Sequence, residues 1–143
     1  MPVRKGYGEW RGDLPKGKGT LGTESGALKE LPYSFSSRFE SGKGTNPEEL
    51  LAAAHAACYC MALSAGLSGK GYKVNSVRTE DSVHIEKQGD GFAITTIEIA
   101  TEASVDGIDE ATFQKFAEET KIGCPVSKAL AGPRMVLKAS LKK

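Results

Sequence analysis

The sequence lacks an excess of either charge: 19 Lys and Arg stand against 18 Asp and Glu, for a net charge of +1. A chain so balanced has no global field to draw it to nucleic acid or to an anionic membrane. It has no basic stripe or reading helix either, so no nucleic-acid partner is expected. The opening residues MPVRKGYGEW contain neither an apolar run nor a small-residue cleavage site, which points to the cytoplasm. Long apolar runs are scarce. The longest, about Leu50 to Leu67, is flanked or interrupted by Glu48, Glu49 and His55. Its small residues are expected to fall short of a bilayer span, making it a core helix of a protein with no membrane partner. Cysteine is scarce too. Cys58, Cys60 and Cys124 are an odd number and too few for a secreted disulfide scaffold, which leaves packing, metal or redox chemistry for them. Linkers, repeats and low-complexity tracts are absent, so residues 1–143 read as one domain.

What is present organises into an α+β chain. Glycines at 12, 17, 19, 22 and 26 punctuate GYGEW, GTLGTES and YSFSSRF, the pattern of a three-stranded meander. Asn46, Pro47 and Glu49 supply an N-cap, a first-turn proline and an N3 carboxylate for a helix that should run to about Leu67 and end at Gly69 or Gly71. Val83 and Ile85 alternate with His84 and Glu86. After a turn at Gln88 to Gly91, FAITTIEIATEAS returns as the second strand of a hairpin. Phe92 and Ile94 have one parity and Ile97 and Ile99 the other, which calls for a bulge near Thr95 and Thr96. Asp109 to Ile122 reads as a second helix closed by Gly123, and a short third helix begins at Pro125. RMVLKASLKK alternates as a final strand.

The thiols are the informative residues. At roughly 100° per residue, Cys58 and Cys60 point about 200° apart round their helix and cannot pair while it lasts. A cysteine on an apolar helix is ordinarily a small buried hydrophobe. In KIGCPVSKAL, by contrast, Cys124 sits between a C-cap glycine and a first-turn proline, where free amides favour a thiolate. Local electrostatics therefore select Cys124 as nucleophile. A thiolate also wants a cation, and Arg38, at the end of the expected strand YSFSSRF, is a candidate beside its plainer reading as a surface residue. Glu49 has a plain role as capping residue. It precedes Cys58 by nine residues, about 13 Å and about 180° along one helix, so a site using both would draw on another copy of the chain. His55, Cys58 and Cys124 match no zinc signature. His84, on an alternating strand, reads as exposed.

GKGTNPEELLAAAHAACYCMALS, GTLGTESG, PYSFSSRFE, GFAIT, GIDEATF and GCPVSKAL together resemble the OsmC/Ohr family of thiol-dependent hydroperoxide reductases, its OsmC branch more than its organic hydroperoxide resistance branch. The resemblance implies a peroxidase without metal, haem or other cofactor. It places the peroxidatic cysteine on Cys58 and the resolving cysteine on Cys124, against the electrostatic choice, and the activating pair on Arg38 and Glu49. Cys60 receives no role. It further implies an intertwined α+β homodimer acting in oxidative or osmotic stress defence. Organic hydroperoxides would be preferred to hydrogen peroxide, and the disulfide would be reduced by a dithiol on a lipoylated protein. The competing class is a thiol-based redox sensor or stress-binding protein without significant turnover.

Overall fold

A computed structural model describes residues 1–142; Lys143, the end of the expected last strand, lies outside the described residues. The chain separates after Leu50 into two compact units. The first holds β1 (Gly6–Arg11), β2 (Lys18–Thr23) and β3 (Leu31–Tyr33), an antiparallel meander in that order, followed by α1 (Phe35–Phe39). The third segment of the expected meander is thereby corrected: its strand is Leu31–Tyr33, and most of YSFSSRF is helix. Ser34 and Ser37 form a reciprocal capping box, Ser37 N–H donating to Ser34 Oγ at 3.1 Å and Ser34 N–H to Ser37 Oγ at 2.8 Å. Two short hydroxyl side chains three residues apart satisfy the first-turn amides, and this outweighs the strand preference of the surrounding aromatics.

Helix α2 (Pro47–Ser68) starts and ends where its caps require. Glu49 N–H donates to Asn46 Oδ1 at 2.8 Å. At the other end Gly71 takes φ +88°, with its N–H on Ser68 O and Tyr72 N–H on Leu67 O, a left-handed cap that glycine adopts at least cost. In length and mean hydropathy, 1.6, α2 is long and apolar enough to cross a membrane, contrary to the expectation from its small residues. It is also less buried than a core helix. One stripe, His55, Tyr59, Leu63 and Leu67, turns inward, while Ala53, Ala57, Met61 and Ala65 stay exposed.

The second unit carries β4 (Lys73–Gln88) and β5 (Gly91–Asp106), a long antiparallel hairpin, with β6 (Arg134–Leu141) added parallel to β5. The hairpin begins ten residues earlier than the clean alternation at Val83 suggests. The expected bulge is present: His84 faces Thr96 and Ile85 faces Ile94, leaving Thr95 over. The parallel β5–β6 step is spanned by α3 (Glu110–Gly123) and α4 (Pro125–Ala129), since parallel neighbours need a long crossover. Asp109 caps α3 through Thr112 N–H at 2.8 Å, and Cys124 is at once the C-cap of α3 and the N-cap of α4. The core joins Tyr59, Leu63 and Leu67 of α2 to Ile97, Ile99, Ala103 and Val105 of β5 and Phe113 of α3. Met135, Leu137, Ala139 and Leu141 of β6 pack beside it on the expected parity. Each large apolar side chain buried there contributes about 1.5–3 kcal/mol.

Candidate active site

The two thiols separated by 66 positions meet: Cys124 Sγ lies 2.9 Å from Cys58 Sγ. Helix α2 presents Cys58 half-buried, and the α3–α4 junction presents Cys124 only 1 % exposed. Burial pushes the Cys58 thiol up, and its hydrogen bond to Cys124 adds to this. Burial acts on Cys124 in the same direction, but its hydrogen bonds with the Cys58 thiol, with the Ser127 amide and hydroxyl and with the Val126 amide hold it below the ordinary thiol value. Within this unit Cys124 is thus the more acidic thiol of the pair and Cys58 the less acidic. That is the electrostatic preference read from KIGCPVSKAL, and beside the Cys58 contact the physical reason includes the same free first-turn amides.

Cys60 is elsewhere. Its thiol donates to Thr79 Oγ1 on β4 at 3.1 Å, on the opposite side of α2 from the Cys58–Cys124 contact, as helix geometry requires.

In the first unit Arg38, on α1, is forked onto a carboxylate. Nε donates to both oxygens of Glu48, at 3.1 and 3.2 Å, and Nη2 donates to Oε1 at 2.7 Å. Glu48 is 6 % exposed, and the Arg38 guanidinium carbon also lies 5.2 Å from the Phe39 ring centroid. The carboxylate paired with Arg38 in the chain is therefore Glu48, which corrects the assignment to Glu49. Glu49 is exposed and accepts from Thr45 Oγ1 at 2.7 Å in the first turn of α2. Adjacent residues on a helix point about 100° apart, so NPEE offers two carboxylates of which one alone can turn to α1.

Three further groups near the thiols escaped sequence reasoning or were given no role. His55 is fully buried, its Nδ1 on Asp81 Oδ2 and its Nε2 2.6 Å from Ser127 Oγ. With both ring nitrogens engaged, it is no partner for a metal with Cys58 and Cys124. A signal existed. His55 falls at i, i+4 spacing with Tyr59, Leu63 and Leu67, and Asp81 shares the inward parity of Val77, Thr79, Val83 and Ile85. His84, by contrast, is exposed and meets Glu98 Oε2 at 2.9 Å across the hairpin. A cavity of about 920 Å³ among Tyr7, Glu9, Arg11 and Lys16 lies in the first unit and is lined by no thiol.

The model of the OsmC-like protein family matches residues 40–138. The chain is 50 % identical over 127 residues, 89 % of each chain, to the peroxiredoxin OsmC of Escherichia coli strain K12. It is 35 % identical over 92 residues to an organic hydroperoxide resistance protein of Xanthomonas axonopodis pv. citri, covering 64 % of this chain and 63 % of that one. Among solved structures, an OsmC-like protein of Mycoplasma pneumoniae superposes with a TM-score of 0.75 at 16 % identity over 99 % of both chains. The organic hydroperoxide resistance protein OhrB of Bacillus subtilis does so with 0.67 at 25 %, over 96 % of this chain and 98 % of its own. The motifs read along the sequence, the α+β fold and the extent of these matches agree, and the chain belongs to the OsmC-like protein family.

Proposed function

We propose that this chain is a cysteine-based peroxidase that reduces organic hydroperoxides, and hydrogen peroxide less well, in oxidative or osmotic stress defence. The observation that carries the reading is the 2.9 Å approach of two free thiols from distant parts of the chain. Two relatives named a peroxiredoxin and an organic hydroperoxide resistance protein support the same chemistry. Cys58 is the peroxidatic residue because it is the more accessible sulfur: Cys124 is sealed at 1 % exposure.

In the first step the Cys58 thiolate attacks the terminal peroxide oxygen. The O–O bond breaks, and the terminal oxygen stays on sulfur with its hydrogen to make Cys58 a sulfenic acid. The alkoxide leaves and takes up the proton released when the thiol ionised, becoming the alcohol. Its thiol is raised by burial in the second unit, so it needs a cation, which is the role of Arg38, held by Glu48. Residues ten apart on a helix are separated by about 15 Å, so Cys58 and an Arg38–Glu48 pair are brought together by a second copy in a homodimer. In the second step Cys124 condenses with the sulfenic acid to give a disulfide and water. An external dithiol, such as a dihydrolipoyl group on a carrier protein, then reduces the disulfide by exchange. A cleft of about 470 Å³ lined by Ile122, Ala131, Pro133 and Met135, with Ser127 at its wall, suits an alkyl group. The whole chain serves as one catalytic domain, acting in the cytoplasm, where dithiol reductants are available.

Mass spectrometry of peroxide-treated protein tests the cycle: Cys58 should be linked to Cys124. Cys58→Ser should abolish peroxide consumption, and Cys124→Ser should leave a trappable sulfenic acid and stop after one turnover. Turnover in Cys58→Ser overturns the nucleophile assignment. Failure of the parent protein to consume cumene hydroperoxide with a dithiol reductant returns the chain to the sensor class.

A further inference from the structure

Behind the thiols runs a hydrogen-bonded line that the cycle above leaves unused. Three elements supply it: His55 from α2, Asp81 from β4 and Ser127 from α4. The side chains of His55 and Asp81 are wholly buried and Ser127 is 3 % exposed. Asp81 Oδ2 engages His55 Nδ1, His55 Nε2 lies 2.6 Å from Ser127 Oγ, and Ser127 hydrogen-bonds the Cys124 sulfur. A carboxylate that holds Nδ1–H leaves Nε2 of a neutral imidazole bare and facing Ser127. The hydroxyl can then donate to the ring while accepting from the Cys124 S–H.

The second Asp81 oxygen, Oδ1, is buried without a hydrogen-bond partner. A dry carboxylate with one donor is poorly compensated unless its partner carries a positive charge. The groups that face His55 are Asp81 from β4, Ser127 from α4 and, on its own helix, Tyr59, whose ring centroid is 6.4 Å away. Cys124 faces Cys58 of α2 and Ser127 of its own helix. None of these is a fixed cation, so a proton that reaches His55 during the reaction is met by Asp81.

We propose that His55 accepts the proton of the resolving thiol Cys124 through the Ser127 hydroxyl, with Asp81 holding the ring and balancing the imidazolium. The proposal rests on the two-cysteine cycle. As Cys124 S–H gives its proton to Ser127 Oγ, the Ser127 proton moves to His55 Nε2. The thiolate electron pair forms the S–S bond while the Cys58 S–O bond breaks, and hydroxide leaves and recovers a proton by the same route to become water. The Cys124 sulfur is oxidised and the Cys58 sulfenic sulfur is reduced, with no further oxidant. Ser127 touches a reacting sulfur and is catalytic; His55 and Asp81 act through it as positioning residues.

Full-length protein treated with cumene hydroperoxide and quenched over time separates the two steps, since dimedone marks Cys58 sulfenic acid and peptide mapping marks the Cys58–Cys124 disulfide. Ser127→Ala should form sulfenic acid at the parent rate and close the disulfide roughly a hundredfold more slowly. Its closure should accelerate with pH toward the thiol range, whereas parent closure stays flat near neutrality. Ser127→Thr, which keeps the hydroxyl, should recover most of the rate, and Asp81→Asn should slow the same step. Parent-like closure with a parent-like pH profile in Ser127→Ala overturns the relay, as does closure in Ser127→Thr no faster than in Ser127→Ala. Absence of both Cys58 sulfenic acid and the Cys58–Cys124 disulfide in the peroxide-treated parent overturns the peroxidase reading and the relay with it.

Discussion

Two thiols 2.9 Å apart are hydrogen-bonded, and the surrounding groups set which is the more acidic. Amides of Val126 and Ser127 favour charge on Cys124, whereas peroxide can reach the half-buried Cys58. In the proposed cycle Cys58 therefore draws on a cation outside the immediate thiol pair. That makes the Arg38–Glu48 fork the sensitive point. Glu48→Gln should lower kcat/KM for an organic hydroperoxide on the order of tenfold, because a charge-assisted bidentate contact is lost. Glu49→Gln, altering an exposed carboxylate on Thr45, should stay within about twofold. Steady-state kinetics of the two variants decides between the neighbouring glutamates. Cys60→Ser should retain most activity, since a hydroxyl can repeat the thiol's donation to Thr79 Oγ1; a large loss in the same assay would give this third thiol a chemical role.

The elements owe their limits to a few polar side chains, and the junction that places Cys124 depends on α3 keeping its register. Hydrogen bonds from the Thr112 amide and hydroxyl hold the exposed Asp109 carboxyl below its ordinary range. A carboxyl lowered on folding stabilises the folded state above its unfolded pKa of about 4 and loses that contribution as pH falls through the folded value. Asp109→Ala should therefore reduce Tm at pH 7, and the difference from the parent should shrink at pH 3. An undiminished gap in calorimetry at pH 3 would show that the cap does not act through its charge. In the inward stripe of α2, Leu63→Ala should cost about 2–5 kcal/mol in denaturant unfolding, as expected for a wholly buried leucine.

At the scale of the molecule, α2 buries a single stripe and leaves a surface of small apolar residues, with Met61 77 % exposed. Such a face is what a close-packed second copy would cover. If each site combines Cys58 of one copy with Arg38 of the other, mixing Arg38→Ala with Cys58→Ser under subunit exchange regenerates one intact site per mixed dimer. Peroxidase activity should then return to about a quarter of the parent value from two inactive proteins, as statistical pairing of two subunits requires. No recovery after verified exchange would place Arg38 and Cys58 of one chain in the same site.

The α+β pattern, the caps of α2 and α3, the Thr95 bulge and the parity of β6 were legible because each depends on neighbours a few residues away or on a period of the backbone. The amides that lower Cys124 were legible for the same reason, since CPVS opens a helix wherever that helix packs. YSFSSRF was misread as a strand because its aromatic pattern conceals the serine capping box. Which of Glu48 and Glu49 meets Arg38, and whether His55 on an apolar stripe is inert or joined to Asp81 and Ser127, depended on how α1, β4 and α4 turn against their neighbours. The sequence by itself determined the elements and the thiol chemistry they carry, because local backbone physics and side-chain identity suffice for both. Tertiary structure alone decided which distant side chains are hydrogen-bonded, because that depends on contacts between residues as far apart as 55 and 127.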